Sequence, residues 1–252
     1  MAESNNGCLV KLIRFTGRAA HAGGAPHRGV NALNAATLAL QAIHAQRETY
    51  RDADHVRVHP IITRGGDVVN VVPADVRMET FVRGKTVEAI EDAGTKVDRA
   101  LKAGALAVGA QVTIQTLPGY LPLRNDPELG RVFQENAVAL VGAAGVKQIG
   151  HRTGSTDMGD VTHIMPAIHP YAGGAAGTGH GADYHIADPQ AAILCPAKAM
   201  AMTVVDLLAG GAARAVLEQA RPRFTKDEYL AFQRRLKRTT TFDGTSFDGA
   251  TA

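Results

Sequence analysis

The chain has 252 residues, with 27 Lys+Arg against 24 Asp+Glu, a formal net charge of +3, 45% hydrophobic residues and 20% charged ones. That is enough apolar material for one large domain or two modest ones, and it excludes both a disordered chain and a nucleic-acid binder driven by bulk charge. Cys8 and Cys195 stand far apart and fit neither a disulfide framework nor a C-x-x-C zinc site. The start MAESNNGCLVKLIRF lacks a signal-peptide pattern, and no run approaches the ~18 apolar residues of a membrane span. The expectation is a cytoplasmic protein with reduced cysteines that engages neither membrane nor nucleic acid.

In chain order, residues 9–16 mix apolar side chains with Lys11 and Arg14 and end at Gly17, as a strand with one exposed face does. From Val30, the positions Leu33, Ala36, Leu40 and Ile43 recur at steps of three and four and predict a helix. Val56, Val58 and Ile62 alternate with polar neighbours, Gly65-Gly66 interrupts, and Val76, Met78, Thr80 and Val82 alternate again, so two strands follow. Val87, Ile90, Val97, Leu101 and Val108 predict a second helix, and residues 112–117 a further strand before Pro118-Gly119. The order β-α-β-β-α-β is the split βαβ pattern, in which two helices cover one face of a four-stranded antiparallel sheet.

The remainder reads as part of an α/β sheet: a helix at 127–141, short strands at 146–150 and 164–169, glycine-rich loops, and an alanine-rich helix at 189–208. Two strands in about 90 residues leave open sheet edges and broad apolar faces, so something is expected to cover them. Residues 212–238 hold eight basic and three acidic side chains, which suits a solvated terminal helix packed on its own domain or a basic face for a membrane or nucleic acid. The last fourteen residues, TTTFDGTSFDGATA, are expected to fray. The expected organisation is thus a module at 8–118, an α/β segment at 119–210, and a basic helix with a frayed tail at 211–252.

Ten histidines are candidates for metal ligation and proton handling. His21, in GRAAHAGGAP, follows the first strand among small residues, and Asn70, in GGDVVNVVPAD, sits beside a strand entry where its amide either donates to a substrate oxygen or makes a local turn. The densest cluster places His151, Asp157, Asp160, His163, His169, His180, Asp183 and His185 around two glycine-rich loops. Such loops at strand ends carry ligand groups in α/β enzymes, although capping and turn formation explain single residues equally well. Ser155 lacks the G-x-S-x-G setting of a nucleophile elbow, and the glycine runs lack both G-x-G-x-x-G and a P-loop lysine.

Four segments occur in one order: GRAAHAGGAPHRGVNALNAA, GGDVVNVVPADVRMETFVRG, RTGSTDMGDV and GTGHGADYH. Together, over about residues 8–210, they resemble the two-metal amidohydrolases that include aminoacylases, glutamate carboxypeptidases and the p-aminobenzoyl-glutamate hydrolase and dipeptidase branch, towards which GSTDMGDV and PAIHPY point. The resemblance implies a split βαβ lid, which also forms a homodimer contact, joined to a zinc-binding α/β domain. It implies that His21 reaches across the dimer to polarise the scissile carbonyl. Asn70 and Arg83 would bind the terminal carboxylate of a small amide or dipeptide substrate, Arg83 through its bidentate fork. Gly154 would offer a backbone contact to substrate, and His180 would ligate a divalent metal, with His185 its rival. Zinc, manganese and cobalt all suit such ligands.

The sequence departs from the family in containing no H-x-D triplet and no Glu-Glu pair, the motifs that supply a bridging ligand and a general base there. A metal-activated water needs both. The expectation is therefore a lid plus C-terminal catalytic segment that is metal-poor and inactive alone. The alternative is a non-catalytic dimerisation or binding module, or a subunit that complements a separate N-terminal half.

Overall fold

The computed structural model describes residues 4–245. In chain order its strands and α-helices are β1 (Ser4–Asn5), β2 (Gly7–Thr16), α1 (Ala32–Ala45), β3 (Arg57–Val58), β4 (Ile61–Arg64), β5 (Asp75–Gly84), α2 (Val87–Val108), β6 (Gln111–Pro118) and β7 (Leu123–Arg124). There follow α3 (Pro127–Val141), α4 (Met158–Ile164), β8 (Ala175–Ala176), β9 (His185–Ile186), α5 (Cys195–Leu208), α6 (Ala212–Gln219), α7 (Lys226–Leu236) and β10 (Arg238–Asp243). The described residues divide into two compact units, one of residues 6–122 with 227–245 and the other of residues 4–5 with 123–226.

The first unit is built on an antiparallel sheet of order β10-β6-β2-β5-β3, with β4 also pairing along β5. β3 and β4 together make one broken edge strand, so β6, β2, β5 and that edge reproduce the four positions expected from the sequence. The pleat explains the alternation. On β5, Val76, Met78, Thr80 and Val82 are buried, while Arg77, Glu79 and Phe81 face outward. Asn31 caps α1 by accepting from the Leu33 and Asn34 amides, Thr86 caps α2 through the Ala89 amide, and Gly109 ends α2 at φ 69°.

The buried face of α1 is an alanine stripe, Ala32, Ala35, Ala36 and Ala39 with Ile43, whereas the larger Leu33 and Leu40 pack at its margin. Small residues let α1 and α2 touch closely. A Cβ on Gly104 would lie 2.4 Å from the Ala35 carbonyl oxygen. One charge is enclosed in this core: Lys11 is fully buried, its Nζ 2.6 Å from Asp98 Oδ1 and 3.1 Å from Thr116 Oγ1. Burial pushes the Lys11 ammonium below the usual lysine range, and Asp98 partly offsets that.

The C-terminal segment differs from expectation. The basic stretch forms two helices, α6 and α7, and residues 238–243 form β10, paired along β6 from Arg238 opposite Thr116 to Asp243 opposite Gln111. Three threonines and a phenylalanine are good strand formers once an edge is offered. Phe242 packs against the core, Leu236 and Phe232 against Leu9 and Ile90, and Arg235 pairs with Glu91 at 3.0 Å. Residues 246–252 of the expected frayed tail lie outside the described residues.

In the second unit α3 starts at Asp126, whose carboxylate accepts from the Leu129 amide, and α3 packs on α5, where Asn136 Nδ2 donates to Asp206 Oδ2 at 2.6 Å. The strands expected at 146–150 and 164–169 do not form. Residue 164 closes α4, and the segment after it forms no ladder; it is tied to the residues after β7 instead, the Asp126 amide donating to the Ala167 carbonyl at 2.9 Å and the His169 amide to Asn125 Oδ1 at 2.8 Å. A π-turn at Gln190–Leu194 leads into α5. Together they make a 19-residue helix, long and apolar enough by length and composition to cross a membrane, with Ile193, Leu194, Met200, Val204, Val205 and Leu208 exposed.

Candidate functional site

Where β2 ends, the chain passes so close to Val30 that a Cβ on Gly17 would lie 2.0 Å from the Val30 carbonyl oxygen. Arg18 and Val30 exchange two backbone hydrogen bonds of 2.9 Å. The next residues pair with the segment before β5: the Val72 amide donates to the Ala20 carbonyl, His21 bridges Val71, and the Ala22 amide donates to the Asn70 carbonyl at 2.9 Å. Sequence-distant His21 and Asn70 thus meet on one exposed antiparallel ribbon. The His21 ring is tied down: Nδ1 accepts from the backbone N–H of Gly24 at 2.9 Å and of Gly23 at 3.2 Å. The Asn70 amide makes no hydrogen bond among the described residues, and Val68 and Val69 beside it are exposed.

The ribbon sits by the Asp75 end of β5, where one carboxylate organises three guanidiniums, Arg14 at 2.7 Å, Arg64 at 2.9 Å and Arg77 at 3.1 Å. Partial burial raises the Asp75 carboxyl, but hydrogen bonds from Arg14 and Arg77 outweigh it and leave the group below the usual aspartate range.

Arg83 lies at the other end of β5, eight residues on, which at about 3.3 Å per residue is roughly 26 Å from Asp75. A single copy of the chain therefore does not bring Arg83 to the ribbon that holds His21 and Asn70. Arg83 is half-buried, stacks 5.4 Å from the Phe81 ring centroid, and its buried Nε has no hydrogen-bond partner among the described residues. Directly across β3 stands Arg57. Like charges at directly opposite strand positions disfavour each other, and among the described residues neither arginine has a carboxylate partner, so an anion bound between them would be stabilising. Arg57 went unnoticed in the sequence because its partnership with Arg83 exists only through strand register.

In the second unit, Gly154 is exposed in the loop before α4, and a Cβ there would meet nothing within 4 Å. His180 is exposed at the tip of a turn closed by the Gly181 amide on the Thr178 carbonyl, and its φ of 63° is uncommon for a residue with a side chain. Its rival His185 is held differently. Its Nδ1 lies 2.9 Å from the Asp183 carbonyl oxygen, which can only accept, so Nδ1 carries the proton and Nε2 presents a lone pair. Among the described residues no three His, Cys, Asp or Glu side chains converge as a metal site. This donor set alone does not fit a metal centre.

The peptidase dimerisation domain matches residues 5–108. Xaa-Arg dipeptidase of Mus musculus is 32% identical over 205 residues, 78% of this chain and 47% of that protein. Indole-3-acetyl-aspartic acid hydrolase of Enterobacter agglomerans is 29% identical over 160 residues, 63% of this chain and 36% of that protein. The chain spans about half the length of the dipeptidase. Among solved structures, aminopeptidase PepT from Bacillus cereus ATCC 10987 superposes with a TM-score of 0.57 at 20% identity, over 82% of this chain and 52% of that one, a likeness of fold.

Proposed function

We propose that this chain, which matches the peptidase dimerisation domain over residues 5–108 and is similar to Xaa-Arg dipeptidase, supplies the lid and C-terminal segment of a metal-dependent enzyme. That enzyme hydrolyses the amide or peptide bond of an N-acyl amino acid, p-aminobenzoyl-glutamate or a dipeptide. The observation that carries this reading is the exposed ribbon that joins His21 to Asn70, with Arg83, whose buried Nε has no hydrogen-bond partner among the described residues, at the far end of β5.

In this reading the lid forms a homodimer and the site is shared. His21 and Asn70 of one copy face a substrate whose terminal carboxylate is held by Arg83, assisted by Arg57, of the other. A carboxylate bound there would relieve the Arg57–Arg83 repulsion. Gly154 offers a backbone contact from the second unit. His180, with His185 as rival, is this chain's contribution to a zinc, manganese or cobalt ion whose other ligands come from outside the described residues. Those residues do not fit a metal centre by themselves, so the role of this chain is to bind and orient. Arg83 and the Asn70 amide hold the anionic end, and the His21 donor addresses the carbonyl oxygen.

A separately encoded N-terminal half, or the corresponding half of a longer protein, would cover the exposed face of α5, and in this reading the assembly works in the cytoplasm, where two free cysteines are the ordinary state. The rival reading, a non-catalytic dimerisation module, draws on the lack of three converging metal ligands among the described residues.

The test is hydrolysis of N-acyl amino acids, p-aminobenzoyl-glutamate and dipeptides with zinc or manganese, by the chain alone and after co-expression with the N-terminal half of Xaa-Arg dipeptidase. Turnover restored by co-expression and lost in Arg83→Ala supports the enzyme reading. Stable dimers that neither bind metal nor complement support the module. Turnover by the chain alone overturns the incomplete-site reading.

A further inference from the structure

We infer that the backbone amides of Gly23 and Gly24 are positioning groups that lock His21 as the Nε2–H tautomer, so that this histidine works as a neutral hydrogen-bond donor rather than as a base. Valence sets the tautomer. An amide N–H can only donate, so a ring nitrogen that receives two of them, at 2.9 Å from Gly24 and 3.2 Å from Gly23, must present its lone pair to both. A neutral imidazole with an unprotonated Nδ1 carries its proton on Nε2, on the side of the ring away from the two glycines. His185 shows the opposite arrangement, its Nδ1 proton held by the Asp183 carbonyl. His21 is thus set to give a hydrogen bond from Nε2, and His185 to give one from Nδ1.

The glycines suit this task sterically. An added Cβ at residue 24 would lie 3.5 Å from Nδ1, and one at residue 23 would lie 3.6 Å from Cε1, ordinary contact distances, so what matters at these positions is the N–H and its direction. The turn that aims both amides at the ring is closed by the Ala25 amide on the His21 carbonyl at 3.0 Å, and its base is the ribbon that pairs His21 with Val71. A donor fixed in this way needs no protonation to address a carbonyl oxygen and undergoes no rotation as charge builds there. No proton leaves Nε2 in this role. It strengthens one hydrogen bond and remains an imidazole.

This inference rests on the reading of His21 as a substrate-facing residue, but the tautomer is measured without substrate or turnover. The experiment is a long-range proton–nitrogen correlation spectrum of the 15N-labelled full chain near pH 8, with the His21 signals assigned by their loss in His21→Gln. The expected result is an Nδ1 shift of the unprotonated type, an Nε2 shift of the protonated type, and a through-hydrogen-bond coupling between the Gly24 amide nitrogen and His21 Nδ1. Gly24→Ala, which keeps the N–H, is expected to retain this pattern, and the double variant Gly23→Pro/Gly24→Pro, which deletes both N–H groups, to give averaged shifts from both tautomers. A wild-type spectrum with a protonated Nδ1 or an even mixture overturns the inference, as does a folded double variant with an unchanged pattern. If the double variant does not fold, the coupling in the wild type decides. A locked tautomer together with full turnover by His21→Ala in the complemented enzyme would leave the positioning intact and refute the functional reading.

Discussion

The two units of this chain bury their apolar residues very differently. The sheet-and-helix unit has a closed core in which Phe15, Val76, Met78, Val97, Leu101 and Val112 are all sealed from water. In the other unit, Leu123, Val132, Ala199 and Val216 are buried, while α5 presents Met200, Val204, Val205 and Leu208 to solvent. Hydrophobic burial contributes roughly 25 cal/mol for each Å² removed from water, so the first unit carries its own stability and the second gains most from a surface yet to be covered. The lesson extends to function. The residues that the closed unit fixes, His21 by two amides and Arg83 by strand register, have defined surroundings, whereas His180 stands at an exposed turn.

The largest effect that would sharpen this contrast is catalytic. In the complemented enzyme, His21→Ala is expected to lower kcat about 10²–10³-fold, the loss typical of one oxyanion donor, while the chain's unfolding midpoint stays within error. Steady-state kinetics beside urea unfolding check it, and an unchanged kcat breaks the assignment.

Next comes a matched pair of truncations. Phe15→Ala in the closed core is expected to cost about 3–5 kcal/mol, and Val204→Ala on α5 about 0.5 kcal/mol or less in the isolated chain. Equal costs in chemical denaturation would erase the distinction between the units. If the α5 substitution becomes costly once the chain is complemented, that identifies the covered face.

Lys11→Ala, which strands the Asp98 carboxylate beside Arg238 at 3.5 Å, is expected to cost about 3 kcal/mol. Lys11→Met, which keeps the volume of the stem, is expected to cost less. Urea midpoints of both variants measure the difference, and a neutral Lys11→Ala would show that the buried charge is not integral to the core.

The smallest effect is in acid. The folded state holds the Asp75 carboxyl below its usual range, so its contribution is fully present above the unfolded aspartate value of about 3.9 and is lost as pH falls through the lower folded value. Stability of the closed unit is expected to decline below about pH 4, and Asp75→Asn to flatten that decline. Urea midpoints compared at neutral and acid pH decide it, and identical slopes for the two proteins would remove Asp75 from the account.

The sequence made the closed unit readable because its signals are local. Alternation at Val76, Met78, Thr80 and Val82 reports one buried sheet face, and the caps at Asn31 and Thr86 sit where the helices begin. The same reading failed at residues 164–169, where residue 164 ends a helix and the segment after it is tied down by single hydrogen bonds instead of a ladder, and at residues 238–243, where a stretch expected to fray became β10 because β6 offered an edge to good strand formers. On α1 the spacing pointed to Leu33 and Leu40, but the approach of α2 at Gly104 selected the alanines instead.

By itself, then, the sequence determined the order of elements in the closed unit, the split βαβ pattern and the identity of His21, Asn70, Arg83, Gly154 and His180 as candidates. The order and pattern follow from periodicity, and the five candidates from the family resemblance that four ordered motifs carry. Only the tertiary structure decided that His21 and Asn70 share a ribbon, that Arg83 stands about 26 Å along β5 from its Asp75 end with Arg57 opposite, and that two glycine amides hold the His21 ring. Those relations depend on register and chain crossing between distant segments, which hydrogen bonds across the sheet fix and local sequence does not encode.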